Sequence, residues 1–380
     1  MSRNNQATDP AFALTLNPFN TDATVNLVVD ALNGAEEPDR DALSRSARAM
    51  VSASRADARG YSMLGAIEDR AGNGDTAQAL YALALQRSKT ELHALMRTAV
   101  ARLQQEDMAG ALEYIDLLLR RWPDYWASVQ PIMQRLATDP DTAPLLRTQL
   151  DRLPPWRGRA IAGLARAGAL DFLDQLVSAA PAEIRARPGW TGERDAVIGA
   201  LLAGKAYARA DALFRSNLTA AEAGVAGPIF DGGFTLASGG GHFGWRVQQQ
   251  GAPEISYGGR SAGAMGLRVR FLDSPARPGI VSQRLLLPPG RYRLSVALSA
   301  ANLRVPKELF WSIRCEAGSP LTILSVPSGS LETQLQAEFE VPASGCGLQT
   351  ISLDTAVRTE SWRDRYQGEV RFSSLAITPL

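Results

Sequence analysis

The sequence predicts a multidomain α + β protein in which an N-terminal α-helical repeat is followed by a C-terminal antiparallel β-sandwich of jelly-roll type. Apolar residues recur at helical spacing up to about residue 224, and from Met265 onward the period falls to two. Between these regions lies GPIFDGGFTLASGGGHFGWRV, residues 227–247, whose glycines permit tight turns and whose aromatics bracket them. At 380 residues the chain exceeds what one core usually supports, and its 45% hydrophobic content fills two. The expected division is a flexible segment over 1–19, helices over 20–224 and the sandwich over 225–380.

The helical half is rich in Ala, Leu and Arg, and Leu112, Ile115 and Leu119 make one apolar stripe. Residues 75–80 and 107–112 align at an offset of 32, near the ~34 of a tetratricopeptide repeat, which makes the array a tetratricopeptide-like α-solenoid. A third piece spans 205–214, with Ala210 at the small position where paired helices meet and Phe214 at the large one. Pro123 after Trp122 suits the end of a second helix, whereas Asn73-Gly74 reads as an insertion after Leu64-Gly65. Over 126–188, Pro131, Pro140, Pro144, Pro154, Pro155 and Pro181 punctuate short helical hairpins. Each helix pair leaves an apolar face that the next must cover, and such arrays present a face to a protein partner. Arg121, Trp122, Tyr125 and Trp126 are the candidate protein-binding cluster; the commoner role of aromatics at a helix end is to seal the joint between pairs. His93 has no histidine at i+4 and no nearby cysteine, which argues against a metal site.

In the sandwich half, Leu267, Val269 and Phe271 alternate with arginines, as Tyr292, Leu294, Val296 and Leu298 alternate with Arg293, Ser295 and Ala297. The cleanest strand, 331–341, turns Leu335, Ala337, Phe339 and Val341 inward and Glu332, Gln334, Gln336, Glu338 and Glu340 outward. With strands near 280–287, 309–315, 321–326, 348–353 and 370–377 the total is nine or ten, as a two-sheet jelly roll needs. A first strand is expected across Ile229, Phe230 and Phe234 and a second across 243–247, and Trp245 and Trp311 fall in core phase. Sugar binding needs flat aromatic faces beside groups that bond hydroxyls. The loop 358–366 has that mixture, so Trp362, Arg363, Asp364 and Tyr366 are the candidate carbohydrate-binding residues; in the competing reading Trp362 caps the open end of the sandwich. Cys315 shares the phase of Trp311 and Ile313, and Cys346 opens a neighbouring strand; the two are expected close together, as buried thiols or as a disulfide.

FDGGF, the glycine-rich gap and FGWRV resemble the opening of galactose-binding-like sandwiches. With LLLPPGRYRL at 285–294, Trp311 with Cys315, and Cys346 with Gln349, the chain resembles a bacterial family of membrane-anchored proteins that join degenerate tetratricopeptide-type helices to such a sandwich. The resemblance implies a role around cell-envelope polysaccharide. It also implies that Asp9-Pro10-Ala11-Phe12-Ala13-Leu14 follows a transmembrane helix, so the expected location is the periplasm, held by a segment ahead of this chain. Taken literally, the start MSRNNQATDP lacks the apolar core of a signal peptide and reads as cytoplasmic. Sandwiches of this type often hold a structural calcium; Asp231 could supply one ligand, but residues 372–377 lack the late aspartate, so no cofactor is expected.

A net charge of +1 excludes the basic footprint of nucleic-acid binding. The longest apolar run, 196–203, is far short of the ~20 residues that span a bilayer. With two histidines, His93 and His242, and no paired carboxylates, an enzyme is not expected. The expectation is an accessory protein whose helices bind a protein partner and whose sandwich binds polysaccharide; the alternative is a scaffold whose sandwich has no ligand.

Overall fold

The computed structural model describes residues 2–34, 39–236, 240–247, 253–258, 266–276, 278–316, 318–357 and 363–380. The chain divides into two compact units, Met1–Phe172 and Leu173–Leu380.

In the first unit, helix starts are set by side-chain caps. Asp9, Asn20, Asp39, Asp57, Glu91 and Asp107 each accept a backbone N–H of the helix that follows. The pair Ala58–Arg70 and Gly74–Arg87 is followed by Leu92–Gln104 and Met108–Arg121, with starts 34 residues apart from Ala58 to Leu92 and from Gly74 to Met108. Each pair is joined by the same turn. Asn73 N–H donates to Glu68 O and Gly72 N–H to Asp69 O, while Asp107 N–H donates to Arg102 O and Glu106 N–H to Leu103 O. This is the Schellman pattern, which needs a left-handed residue after the helix, and Gly72 (φ 81°) and Glu106 (φ 60°) occupy that place. Asn73 therefore closes the turn and caps the next helix, which Gly74 begins, so the pair is not an insertion. The turn recurs at Gly168 in this unit and at Lys205 in the other. Ala77, Tyr81 and Ala84 are buried between the helices of the first pair, and the bare Gly65 makes room for the Tyr81 ring, which an added Cβ would approach within 2.7 Å. Pro131, expected at a break, lies inside the helix Trp126–Thr138 and removes one hydrogen bond there.

The second unit begins with helices and ends in a sandwich. Its strands are β1 (Arg246–Val247), β2 (Glu254–Tyr257), β3 (Leu267–Ser274), β4 (Val281–Leu285), β5 (Gly290–Arg304), β6 (Leu309–Cys315), β7 (Pro320–Ser325), β8 (Gly329–Val341), β9 (Gln349–Thr355) and β10 (Tyr366–Pro379). They form two antiparallel five-stranded sheets, β1-β4-β9-β6-β7 and β2-β3-β10-β5-β8. Trp311, Ile313, Ile351, Leu353 and Val281 of the first sheet join Val269, Leu294, Val296, Val370 and Phe372 of the second in one core. Trp311 packs edge-on against Phe372 at 5.3 Å, and Trp245 packs against Trp311 and Phe234. β8 alternates as its sequence requires, with Phe339 and Val341 buried and its glutamates exposed.

The segment 229–236 is not the first strand. Asp231 (φ 49°) and Phe234 (φ 55°) are left-handed, and the buried Asp231 carboxylate closes the turn by accepting the N–H groups of Thr235 and Leu236 and the Thr235 hydroxyl. The place of a strand partner is taken by a side chain: the Gln283 amide accepts Phe230 N–H and donates to Phe230 O. Cys315 and Cys346 form a disulfide with Cα atoms 5.0 Å apart, tying the end of β6 to the approach to β9.

The last α-helix ends at Ala223 and the first strand begins at Arg246, and the unit that holds the sandwich starts at Leu173. Phe214 of the helix Tyr207–Ser216 packs on Phe230 and Phe243. Arg194 of the helix Trp190–Ala203 pairs with Glu222 through its two terminal guanidinium nitrogens, at 2.9 and 3.1 Å, and Glu222 also accepts Gly240 N–H. The helices 190–223 thus complete the sandwich from inside its own compact unit.

Candidate functional site

The strand register of the first sheet sorts its side chains into two faces. Val281, Leu353, Trp311 and Leu324 align across β4, β9, β6 and β7 and point into the core. The next row, Ser282, Ser352, Ser312 and Ile323, points outward, flanked on one side by the row Arg284, Thr350, Arg314 and on the other by Asp354, Phe310 and Ser325. An outward face is normally solvated by long charged side chains, as on β8, whereas the middle of this one carries short hydroxyls.

Those hydroxyls form a network. The Ser312 and Ser352 hydroxyls lie 3.2 Å apart, and Ser352 donates to Asp354. Arg314 donates to the Ser312 hydroxyl at 3.2 Å and to the Asp354 carboxylate at 3.3 Å, and Gly279 N–H donates to the other carboxylate oxygen at 2.7 Å. Ser312, Ser352 and Asp354 are buried beneath an exposed Arg314, and the half-buried Phe310 stands opposite Asp354 in the ladder. The arrangement supplies rotatable donor–acceptors, one acid, one planar cation and one aromatic face. Toward the β1 edge, Arg246 and Arg284 both donate to Nδ1 of His242, at 3.4 and 3.3 Å. Burial, then Arg284 and Arg246, lower the His242 pKa and keep the ring neutral as their acceptor.

The sequence-chosen loop is arranged differently. Trp362 lies outside the described residues. Arg363 is exposed and Asp364 half-buried, but Tyr366 is 0% exposed at the start of β10. Its ring packs on Phe271 at 5.3 Å and its hydroxyl donates to Lys307 O at 2.8 Å, so it is a core residue and offers no stacking face. Asp231 likewise serves the turn described above, and the described residues contain no group of three or more His, Cys, Asp or Glu placed to hold a metal. Phe310, Ser312, Arg314, Ser352 and Asp354 were missed. Their signal is a hydroxyl, where β8 has Glu or Gln, at the outward phase of two otherwise apolar strands.

In the first unit, Trp126 is buried and crowds Gly163, whose added Cβ would lie 3.1 Å from the indole. Trp122 donates to Thr90 O at 3.3 Å, with the Arg121 guanidinium over its ring at 4.7 Å. Trp122 and Trp126 therefore seal joints between helices; Tyr125 is half-buried and Arg121 exposed beside them. A separate groove of about 410 Å³ is lined by Leu32, Ala66, Asp69, Arg70, Tyr81, His93 and Arg97. There Arg97 pairs with Asp69, and the Tyr81 hydroxyl lies 3.4 Å from His93 Nε2. Burial raises the Tyr81 pKa and lowers that of His93, so both are neutral near pH 7.

No protein-family model matches the chain, and no curated protein matches it. Among solved structures, the C-terminal β region is matched by carbohydrate-binding modules. One described as "CBM4 structure and function" is 11% identical, with a TM-score of 0.28, covering 41% of this chain and 99% of that one. The module TmCBM61, solved in complex with β-1,4-galactotriose, is 14% identical with a TM-score of 0.28 over 41% of this chain and 100% of that one. The enzymatically active domain of tailspike protein 4 of bacteriophage CBA120 is 12% identical, with a TM-score of 0.24 over 38% of this chain and 21% of that one. Identities this low leave any binding residues to be read from this chain alone.

Proposed function

We propose that this chain is a non-enzymatic binding protein of the cell envelope, whose sandwich takes a carbohydrate on the outward face of the β1-β4-β9-β6-β7 sheet. The observation that carries the proposal is the Ser312–Ser352–Asp354–Arg314 network beside Phe310. A sugar ring has an apolar face and a rim of hydroxyls, and this surface offers the half-buried Phe310 ring to the one and the exposed Arg314 guanidinium, held from beneath by Ser312 and Asp354, to the other. The network's one acid is bonded to Gly279, Ser352 and Arg314, which suits holding a ligand better than transferring protons.

The helical unit is read as a tetratricopeptide-type array that takes a protein segment, on the strength of its 34-residue helix offset and its open groove at Arg70, His93 and Arg97. The Cys315–Cys346 disulfide favours an oxidising compartment, in keeping with a periplasmic position.

The test is a glycan array probed with the full chain and with Arg314→Gln. The parent is expected to retain a subset of polysaccharide fragments and the variant to bind them about tenfold more weakly, the loss of one charge-assisted hydrogen bond. A folded parent that retains no glycan would leave the scaffold reading in its place.

A further inference from the structure

We infer that the carbohydrate bound on this face is acidic, a glycan bearing carboxylates such as uronate residues, with Arg246 and Arg284 as the groups that read the acid; the inference rests on the carbohydrate reading above. The register sets Arg246 of β1 opposite Ser282 of β4, and Arg284 follows two residues on, on the same face. Arg284 shares a cross-strand row with Thr350 and Arg314, so one strand separates the two guanidinium-bearing positions, or about 10 Å. A chain lying across the strands therefore meets the half-buried Ser282 and the exposed Arg314, which the buried Ser312 and Asp354 hold in place, alongside these cations.

Arg246 and Arg284 converge on one imidazole nitrogen, and arginine can only donate, so His242 Nδ1 accepts from both and cancels neither charge. The carboxylates around them form their hydrogen bonds with other donors. Asp195 accepts from Arg194, Glu316 accepts the Tyr207 hydroxyl at 2.6 Å, and Asp354 holds Arg314. Among the described residues neither Arg246 nor Arg284 has a carboxylate partner, although Arg284 is half-buried. Burial, then the charge of Arg246, lower the Arg284 pKa against the opposing pull of the Glu316 carboxylate. His242 is itself fixed, its Nε2 seated over Gly199, where an added Cβ would come within 2.6 Å. A rigid pair of guanidinium forks with no carboxylate bonded to either is complementary to one, which each fork can bond through two N–H groups. A neutral glycan would cover the same pair and leave its repulsion in place.

The test is a titration of the full chain with hexamers of galacturonate and of mannuronate, their methyl esters, neutral β-1,4-galactohexaose and polyglutamate, at low and at about 0.15 M salt. The acid form of at least one uronate hexamer is expected to bind about tenfold more tightly than its ester, with the difference shrinking as salt rises and disappearing in Arg246→Gln/Arg284→Gln. Equal binding of acid and ester by the parent overturns the inference and leaves the carbohydrate reading intact, and this comparison does not depend on the variant folding. An acid preference that survives in a folded double variant overturns the assignment to these arginines. Polyglutamate binding as tightly as the uronates, or no binding of any glycan, overturns both readings.

Discussion

The two units are held together over different ranges of sequence. In Met1–Phe172 the recurring device is local: a helix, a Schellman turn closed within six residues and a second helix, used at Gly72, Glu106 and Gly168. In Leu173–Leu380 the same turn occurs at Lys205, but the closures around the sandwich are distant. The disulfide joins residues 31 apart, Arg194 reaches Glu222 across 28, and Gln283 completes the backbone of Phe230 across 53. Local closures can be weakened one at a time, so damage in the helical unit should stay small and graded; distant closures share one core, so losing one should destabilise the whole second unit.

The largest expected effect follows from removing one partner of the Arg194–Glu222 pair, which is nearly inaccessible to solvent. Arg194→Met should cost about 3–5 kcal/mol, because a buried carboxylate is left uncompensated. In calorimetry only one of two transitions should fall; a uniform shift of the whole melt would contradict the distinction between the units. Burial pushes the Glu222 carboxyl up, but Arg194 and the N–H groups of Thr219 and Gly240 outweigh it and hold the pKa at about 2, against an ordinary 4.5. A lowered folded pKa means that the stabilisation is complete above the ordinary value and is lost as pH falls from 4.5 toward 2. That acid-sensitive loss should be absent in Glu222→Gln, as denaturant melts across this window would show.

Next in size is the disulfide. Replacing Cys315 and Cys346 by Ser should cost about 3–4 kcal/mol through the freed loop, again in one transition only. Denaturation of the oxidised and reduced chain checks it.

The smallest effect is a gain. Glu106 adopts the left-handed conformation that Gly72 adopts in the preceding hairpin, so Glu106→Gly should stabilise the helical unit by up to about 1 kcal/mol and leave the other transition unmoved. A loss of stability would mean that Glu106 makes a contribution beyond the turn.

Legibility in the sequence follows the same division. The helix pairs could be read because their apolar spacing is local, and β8 because it is an edge strand with one solvated face. The turn at 231–234 could not, since nothing local marks Phe234 for a positive φ, and the Trp245 that stacks on its ring and donates to Asp231 O lies farther along the chain. β6 and β9 are central strands with nearly continuous burial, so Ser312 and Ser352 look like filler until the register places them side by side. Tyr366 reads as a loop residue because the sequence marks the strand only from 370, whereas β10 begins at Tyr366.

The central claim is that ligand is held on the sheet face. Arginine modification by phenylglyoxal, read residue by residue by mass spectrometry with and without a glycan that binds, tests it most directly. Protection of Arg314 and Arg284, with Arg363 unchanged, is the result predicted here. Protection of Arg363 with Arg314 and Arg284 still reactive would place the ligand at the loop and contradict the account.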